Sequence, residues 1–338
     1  MIYGRELPGY PYNLKAKLTR CLVAARRYVF GQYLGFLSSH GAQPVSASGQ
    51  NANDLILETL QKDKPCLVAR FGSGEMETTL RGIDVQRCCS TLKKICLLII
   101  GESGPFWWDN SIRAGICWMG GFFPVDNEAL NDFSNRVCKD SSAIDVLGSW
   151  LPGEKYILKH FAHDAKAVPL NDLEPFRFDN PWTRALKGKR VLVIHPFSDT
   201  IKSQYSKRKV LFKDQDVLPD FELSTYRTVS SFAGNKVPYV SWFDAMDKMV
   251  NDVSKIDFDI AIIGCGAYGL SIGAAIKCEL GKKAIHLGGV TQMLFGIKGG
   301  RWDGIPYYRD QLYNEYWVRP FDSDKVQNAN TIENGCYW

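Results

Sequence analysis

Two glycine-bearing segments, far apart in the chain, carry the residue types that chemistry on phosphates requires. In the first, residues 259–289, an apolar run Ile260–Ile263 stops at Gly264-Cys265-Gly266-Ala267-Tyr268-Gly269. A small-residue helix over 270–280 follows, and a second strand over 284–287 ends in Gly288-Gly289. This is a strand–turn–helix–strand unit with glycines at the three G-x-G-x-x-G positions. Such a turn lets an anion approach the backbone at a helix N-terminus, where unpaired N–H groups and the helix dipole favour negative charge. In the second segment a short strand over 65–69 opens onto Arg70-Phe71-Gly72-Ser73-Gly74-Glu75-Met76-Glu77. Carboxylates at a strand end beside glycines suit a divalent cation with oxygen ligands, and the cation in turn suits a diphosphate. Glu75 and Glu77 equally suit the first turn of a helix by charge alone.

The elements that must position these residues read as an alternating α/β chain. Helices are expected over 54–61, from about 74 to 81, over 127–146, near 202–209 and over 242–253. Strands are expected over 96–100, 155–158, 189–197 and 222–228, besides those already named. Residues 171–187 read as a loop with a short helix. The order predicts a Rossmann-like, doubly wound, mostly parallel sheet, with ligands gathering at its carboxyl edge. His195, at the end of one strand, and His286, at the end of another, fall on that edge. Each suits a packed strand end as well as it suits catalysis. The aromatic runs 106–108 and 118–124 suit a core or a sugar-binding face.

Length and composition set outer bounds. The chain has 338 residues, a net charge of +5 and ten cysteines with no C-x-x-C pair. It is long enough for an ample core, and its basic bias fits an anionic ligand or membrane surface but is too weak for nucleic acid. Scattered thiols fit a reducing, cytoplasmic setting. Residues 13–37 read as a basic helix or helix pair, suited to an anionic membrane surface, to its own domain or to a second subunit. Residues 38–52 read as a linker. The domain plan is thus an N-terminal basic segment and linker over 1–52 and an α/β domain over 53–338. Its 53–180 half bears the acidic segment, and its 181–338 half is Rossmann-like.

A dinucleotide enzyme needs an acidic residue about 20 positions beyond the first glycine. Here that place holds Ala284-Ile285-His286-Leu287-Gly288-Gly289, so an NAD-dependent oxidoreductase is disfavoured. No P-loop is present.

Together the two segments resemble a bacterial glycosyltransferase family, the GT-D-type enzymes and their relatives from surface-polysaccharide gene clusters. Residues 69–75 are similar to that family's R-F-G-D-G-E segment; residues 189–205 and 259–302 carry the rest, including Phe295-Gly296-Ile297-Lys298-Gly299. The resemblance implies sugar transfer from a nucleotide diphosphate sugar, UDP-linked, to a glycan or lipid-linked acceptor. It implies donor binding by Arg70, Phe71, Gly72, Ser73, Gly264, Gly266, Ala267, Tyr268, Gly269, Gly288, Gly289, Gln292, Lys298 and Arg301. Glu75 and Ser73 would face a manganese or magnesium ion, and Glu75, Glu77, His195 and His286 are the candidates for the base. Ser73 stands where the family has its first carboxylate, which leaves open a site where Arg70, Lys298 or Arg301 replaces the metal. A non-catalytic nucleotide- or sugar-binding protein is the rival reading. A peripheral membrane contact and a homo-oligomer complete the expectations.

Overall fold

A computed structural model describes residues 45–328 and 335–338, with Cys21, Ala24 and Thr331. The basic stretch over 13–37 therefore lies almost wholly outside the described residues.

Seven strands form one all-parallel sheet: β1 (Cys66–Arg70), β2 (Val146–Ser149), β3 (Lys166–Pro169), β4 (Arg190–Ile194), β5 (Glu222–Tyr226), β6 (Ile260–Ile263) and β7 (Lys283–His286). Their order is β3-β2-β1-β7-β6-β4-β5. Each strand is short and apolar because both its faces are covered. On β1, Leu67 and Ala69 join one core while Cys66 and Val68 join the other. The longer helices are α1 (Gln50–Gln61), α2 (Ser73–Gln86), α3 (Thr91–Ile100), α4 (Asn127–Ser141), α5 (Glu154–His160), α6 (Ser198–Ser206), α7 (Trp242–Val253) and α8 (Tyr268–Cys278). Helices α2, α4, α7 and α8 supply Leu80, Phe133, Trp242 and Ile272 to the first core. Helices α1 and α6, with the C-terminal segment, supply Ile56, Ile201 and Trp302 to the second. This is a Rossmann-like, doubly wound α/β fold.

The winding opens the crevice that holds the site. After β1 and β6 the chain turns into the layer of α2 and α8. After β4 and β7 it turns into the opposite layer, where Ile201 and Met293 are buried. These four strands are β1, β7, β6 and β4, adjacent in the sheet, so their carboxyl ends face a gap between layers.

Four expectations need correction. Residues 96–100 are not a strand but the end of α3. An apolar run of that length is ambiguous between the two, and the decision comes from its ends. Ser90 caps the helix by accepting from Lys93 N–H, and Gly101 closes it at φ 85°. Residues 155–158 belong to helix α5, and the edge strand is β3, eleven residues on. The helix expected over 127–146 stops at Ser141, because Val146 already begins β2. Helix α1 also begins inside the expected linker, at Gln50. Among the described residues no helix is long and apolar enough to cross a membrane.

Candidate functional site

A cavity of about 450 Å³ lies in the crevice. It brings the two glycine-bearing segments together. Arg70, Gly72, Ser73, Gly74 and Glu75 line one side, Gly264, Cys265, Gly266 and Tyr268 another, and His195, His286, Gly288, Gly289, Gln292 and Arg301 the rest. β1 delivers Arg70 at its last residue, and β7 delivers His286 at its last residue. Among the described lining residues Glu75 is the one carboxylate, and Arg70 and Arg301 are the cations.

Arg70 sits deep in the crevice. Its guanidinium lies 5.3 Å from the Trp150 ring centroid and forms no ion pair within 4 Å among the described residues. Burial holds its pKa below the ordinary arginine value, partly offset by the charge of Glu75. A half-buried cation without a contacting counter-ion has lost part of its hydration, and a bound anion would relieve that cost. Gly288 lets the side chain in: at φ 65° it adopts the left-handed region, and a Cβ there would sit 3.1 Å from Arg70 Nη1.

The Glu75 carboxylate folds back over the start of α2. A Cβ at Gly72 would lie 1.8 Å from Glu75 Oε2, so only glycine admits this arrangement. Burial pushes the carboxyl pKa up, while its own backbone N–H and Arg70 oppose the shift.

The two histidines are held neutral. Burial lowers His195 to about 3. Phe197 N–H donates to His195 Nδ1 at 3.0 Å, so in the neutral ring the proton rests on Nε2, a hydrogen-bond donor rather than a base. Burial lowers His286 to about 3 as well, and the neighbouring Arg70 charge adds to the effect while an Arg70 backbone group opposes it. Its ring fills the space at Gly269, where a Cβ would lie 2.2 Å from Nε2. The glycine turn is thus partly a packing device. Gly264 and Gly269 make room for the two histidines, and Gly266, at φ 58°, makes the bend.

No family model matches the chain, and neither a curated protein nor a solved structure matches it.

Several expected residues are not on the cavity wall. Glu77 follows Glu75 by two positions on α2, which on a helix turns it to another face. Its exposed side chain lies by the Arg81 and Asp109 charges instead. Phe71 is buried in the core beneath the sheet edge. Ala267 packs near Gly120, and Gly269 against His286. Lys298 sits over the Tyr313 ring at 5.2 Å. The cavity also takes residues that the sequence reading passed over: Trp150, Phe197, Phe232, Tyr337 and Trp338. Trp150 follows β2, whose first residue, Val146, closed the helix expected over 127–146. Its Nε1–H donates to the Phe71 carbonyl at 3.0 Å. Tyr337 and Trp338 arrive from far along the chain, with no local pattern to announce them. Tyr337 stacks near Arg301, 4.7 Å from guanidinium carbon to ring centroid, and Trp338 meets Phe197 edge-on at 5.5 Å.

The donor set does not fit the implied divalent cation well. Ser73 and Glu75 are the lining pair, with no second carboxylate, and no group of three His, Cys, Asp or Glu among the described residues could hold a metal.

Proposed function

We propose that the protein is a glycosyltransferase that moves a sugar from a nucleotide diphosphate sugar, UDP-linked, to an acceptor hydroxyl of a glycan or lipid-linked acceptor. The observation that carries the reading is the meeting of the Arg70–Glu75 segment and the glycine turn on one cavity with two arginines and one carboxyl. Both segments also bear the resemblance to GT-D-type enzymes. In the reaction the acceptor oxygen bonds to the anomeric carbon, the bond from that carbon to the diphosphate oxygen breaks, and the acceptor proton leaves. Charge grows on the departing diphosphate, so fixed cations and N–H donors aimed at it lower the barrier. Arg70, Arg301 and the Nε2–H of His195 supply such donors. Glu75 takes the acceptor proton; a carboxyl raised by burial is better matched to that task than an exposed one. The aromatic faces of Trp150, Phe232 and Trp338 suit the nucleobase and sugar.

The test is release of UDP from UDP-glucose or UDP-galactose across a panel of acceptors. Turnover that vanishes in Glu75→Gln while UDP still binds is the expected result. Tight UDP binding without turnover under every acceptor would favour the non-catalytic binding protein. Binding of NAD(H) instead of UDP would return the oxidoreductase.

A further inference from the structure

Resting on the nucleotide-sugar reading above, we infer that the donor diphosphate is held in this cavity by guanidinium groups, with no divalent cation between it and the protein. The lining residues carry two arginines and a single carboxyl. A cation bridging diphosphate and protein needs carboxylate oxygens on the protein side, commonly two. Here the first position is Ser73, Glu77 lies off the cavity, and the Glu75 carboxylate is turned back against Gly72. A dication drawn to Glu75 would enter a crevice whose wall already holds the half-buried charge of Arg70, which Glu75 partly offsets. Two like charges in a low-dielectric crevice repel strongly.

Guanidinium groups fill the same role. Each offers paired N–H donors that match phosphate oxygens, and arginine clamps stabilise transferring groups as metals do. Arg70 enters from the sheet edge and Arg301 from the rim, so the two reach the cavity from different walls. Arg70 is steadied by the Trp150 ring and by the tight fit at Gly288. Trp150 is itself fixed by Glu154, fully buried, whose carboxylate accepts from Trp150 N–H at 2.9 Å and from the Ser149 hydroxyl. Lys298, the third basic candidate, does not line the cavity; its ammonium lies 5.2 Å from the Tyr313 ring centroid.

Calorimetric titration of the full chain with UDP, once in excess EDTA and once in excess manganese, tests this. Equal affinity in both supports the inference. Arg301→Gln should weaken UDP about tenfold in either buffer, as loss of a charge-assisted hydrogen bond does. Ser73→Asp, which rebuilds an acid pair beside Glu75, should weaken UDP in EDTA and make binding respond to manganese. Binding that appears only with manganese in the unmodified chain overturns the inference and leaves the nucleotide-sugar reading standing. No UDP binding in either buffer overturns both. The Arg301 side chain also meets Cys336 Sγ at 3.5 Å and the Tyr337 ring, so the thermal unfolding midpoint of its variant is read alongside, and a loss of affinity larger than any shift of the midpoint explains separates lost contacts from lost folding.

Discussion

At Gly72 a single hydrogen keeps the Glu75 carboxylate in place. The backbone there, φ −80° and ψ 152°, suits any residue, so Gly72→Ala strains no dihedral. Its whole effect falls on Glu75, whose Oε2 would be 1.8 Å from the new methyl. UDP release should drop at least tenfold while the unfolding midpoint changes little, which paired activity and thermal measurements would check. His195 and His286 give a pH signature. Their ordinary value of 6.5 falls to about 3 in the fold, so below pH 6.5 the unfolded chain binds protons that the folded one refuses. Stability is therefore intact above pH 6.5 and falls as pH drops toward 3. Each ring costs about 1.4 kcal/mol per pH unit in that window. Urea unfolding at pH 7 and pH 5 should show the loss, and His195→Asn, which keeps an acceptor for Phe197 N–H, should remove about half of it. A flat profile for the parent chain would mean that the rings are not buried as described. The identities of these residues were legible in the sequence, but their roles were not. Nothing in the order of residues says that Nδ1 of His195 is occupied or that Glu77 turns away.

Elements that carry clear end signals or clean periodicity were legible. Helix α7 runs Trp242–Val253 as its apolar spacing implies, behind a capping box in which Ser241 and Asp244 exchange hydrogen bonds. Strand β6 matches its isoleucine run. Strands β2 and β3, four residues each, have too few positions to display alternation, and the apolar end of α3 imitates a strand. One link between elements carries weight beyond its size. Asp324, buried in the C-terminal segment, accepts from Thr200 N–H and Oγ1, both at 2.7 Å, and pairs with Arg227 at 2.6 Å. It ties that segment to the start of α6. Asp324→Ala takes this acceptor from the Thr200 N–H and hydroxyl, while Arg227 keeps Asp199 at 2.7 Å, and should destabilise the fold by about 2 kcal/mol. Because the same segment brings Tyr337 and Trp338 to the cavity, UDP affinity should fall with it, readable by titration below the unfolding temperature.

Across the whole molecule, the two halves of the sequence are one sheet. β1 pairs with β7 from Cys66↔Lys283 to Val68↔Ile285, and the site draws on both sides of that seam. The two contributing segments were legible in the sequence, because each carries its own glycine pattern. The strand order that joins them was not legible, since it depends on pairings more than two hundred residues apart. Fragments 1–180 and 181–338 would each expose an apolar central strand edge, a template for association. Neither should unfold cooperatively when expressed alone, whereas the intact chain should give a single transition by circular dichroism in denaturant. A fragment with its own sharp transition would contradict this.

The glycines of the crevice have one more consequence, for variation among any relatives of this chain. Gly72 yields its space to Glu75, Gly264 to His195 and Gly269 to His286. Each pair shares one volume between two distant or adjacent positions. A side chain gained at 269 demands a smaller residue at 286, and the same exchange links 264 with 195 and 72 with 75. These positions should therefore covary as pairs, so that Gly269→Ala is damaging alone and is rescued in part by shortening His286.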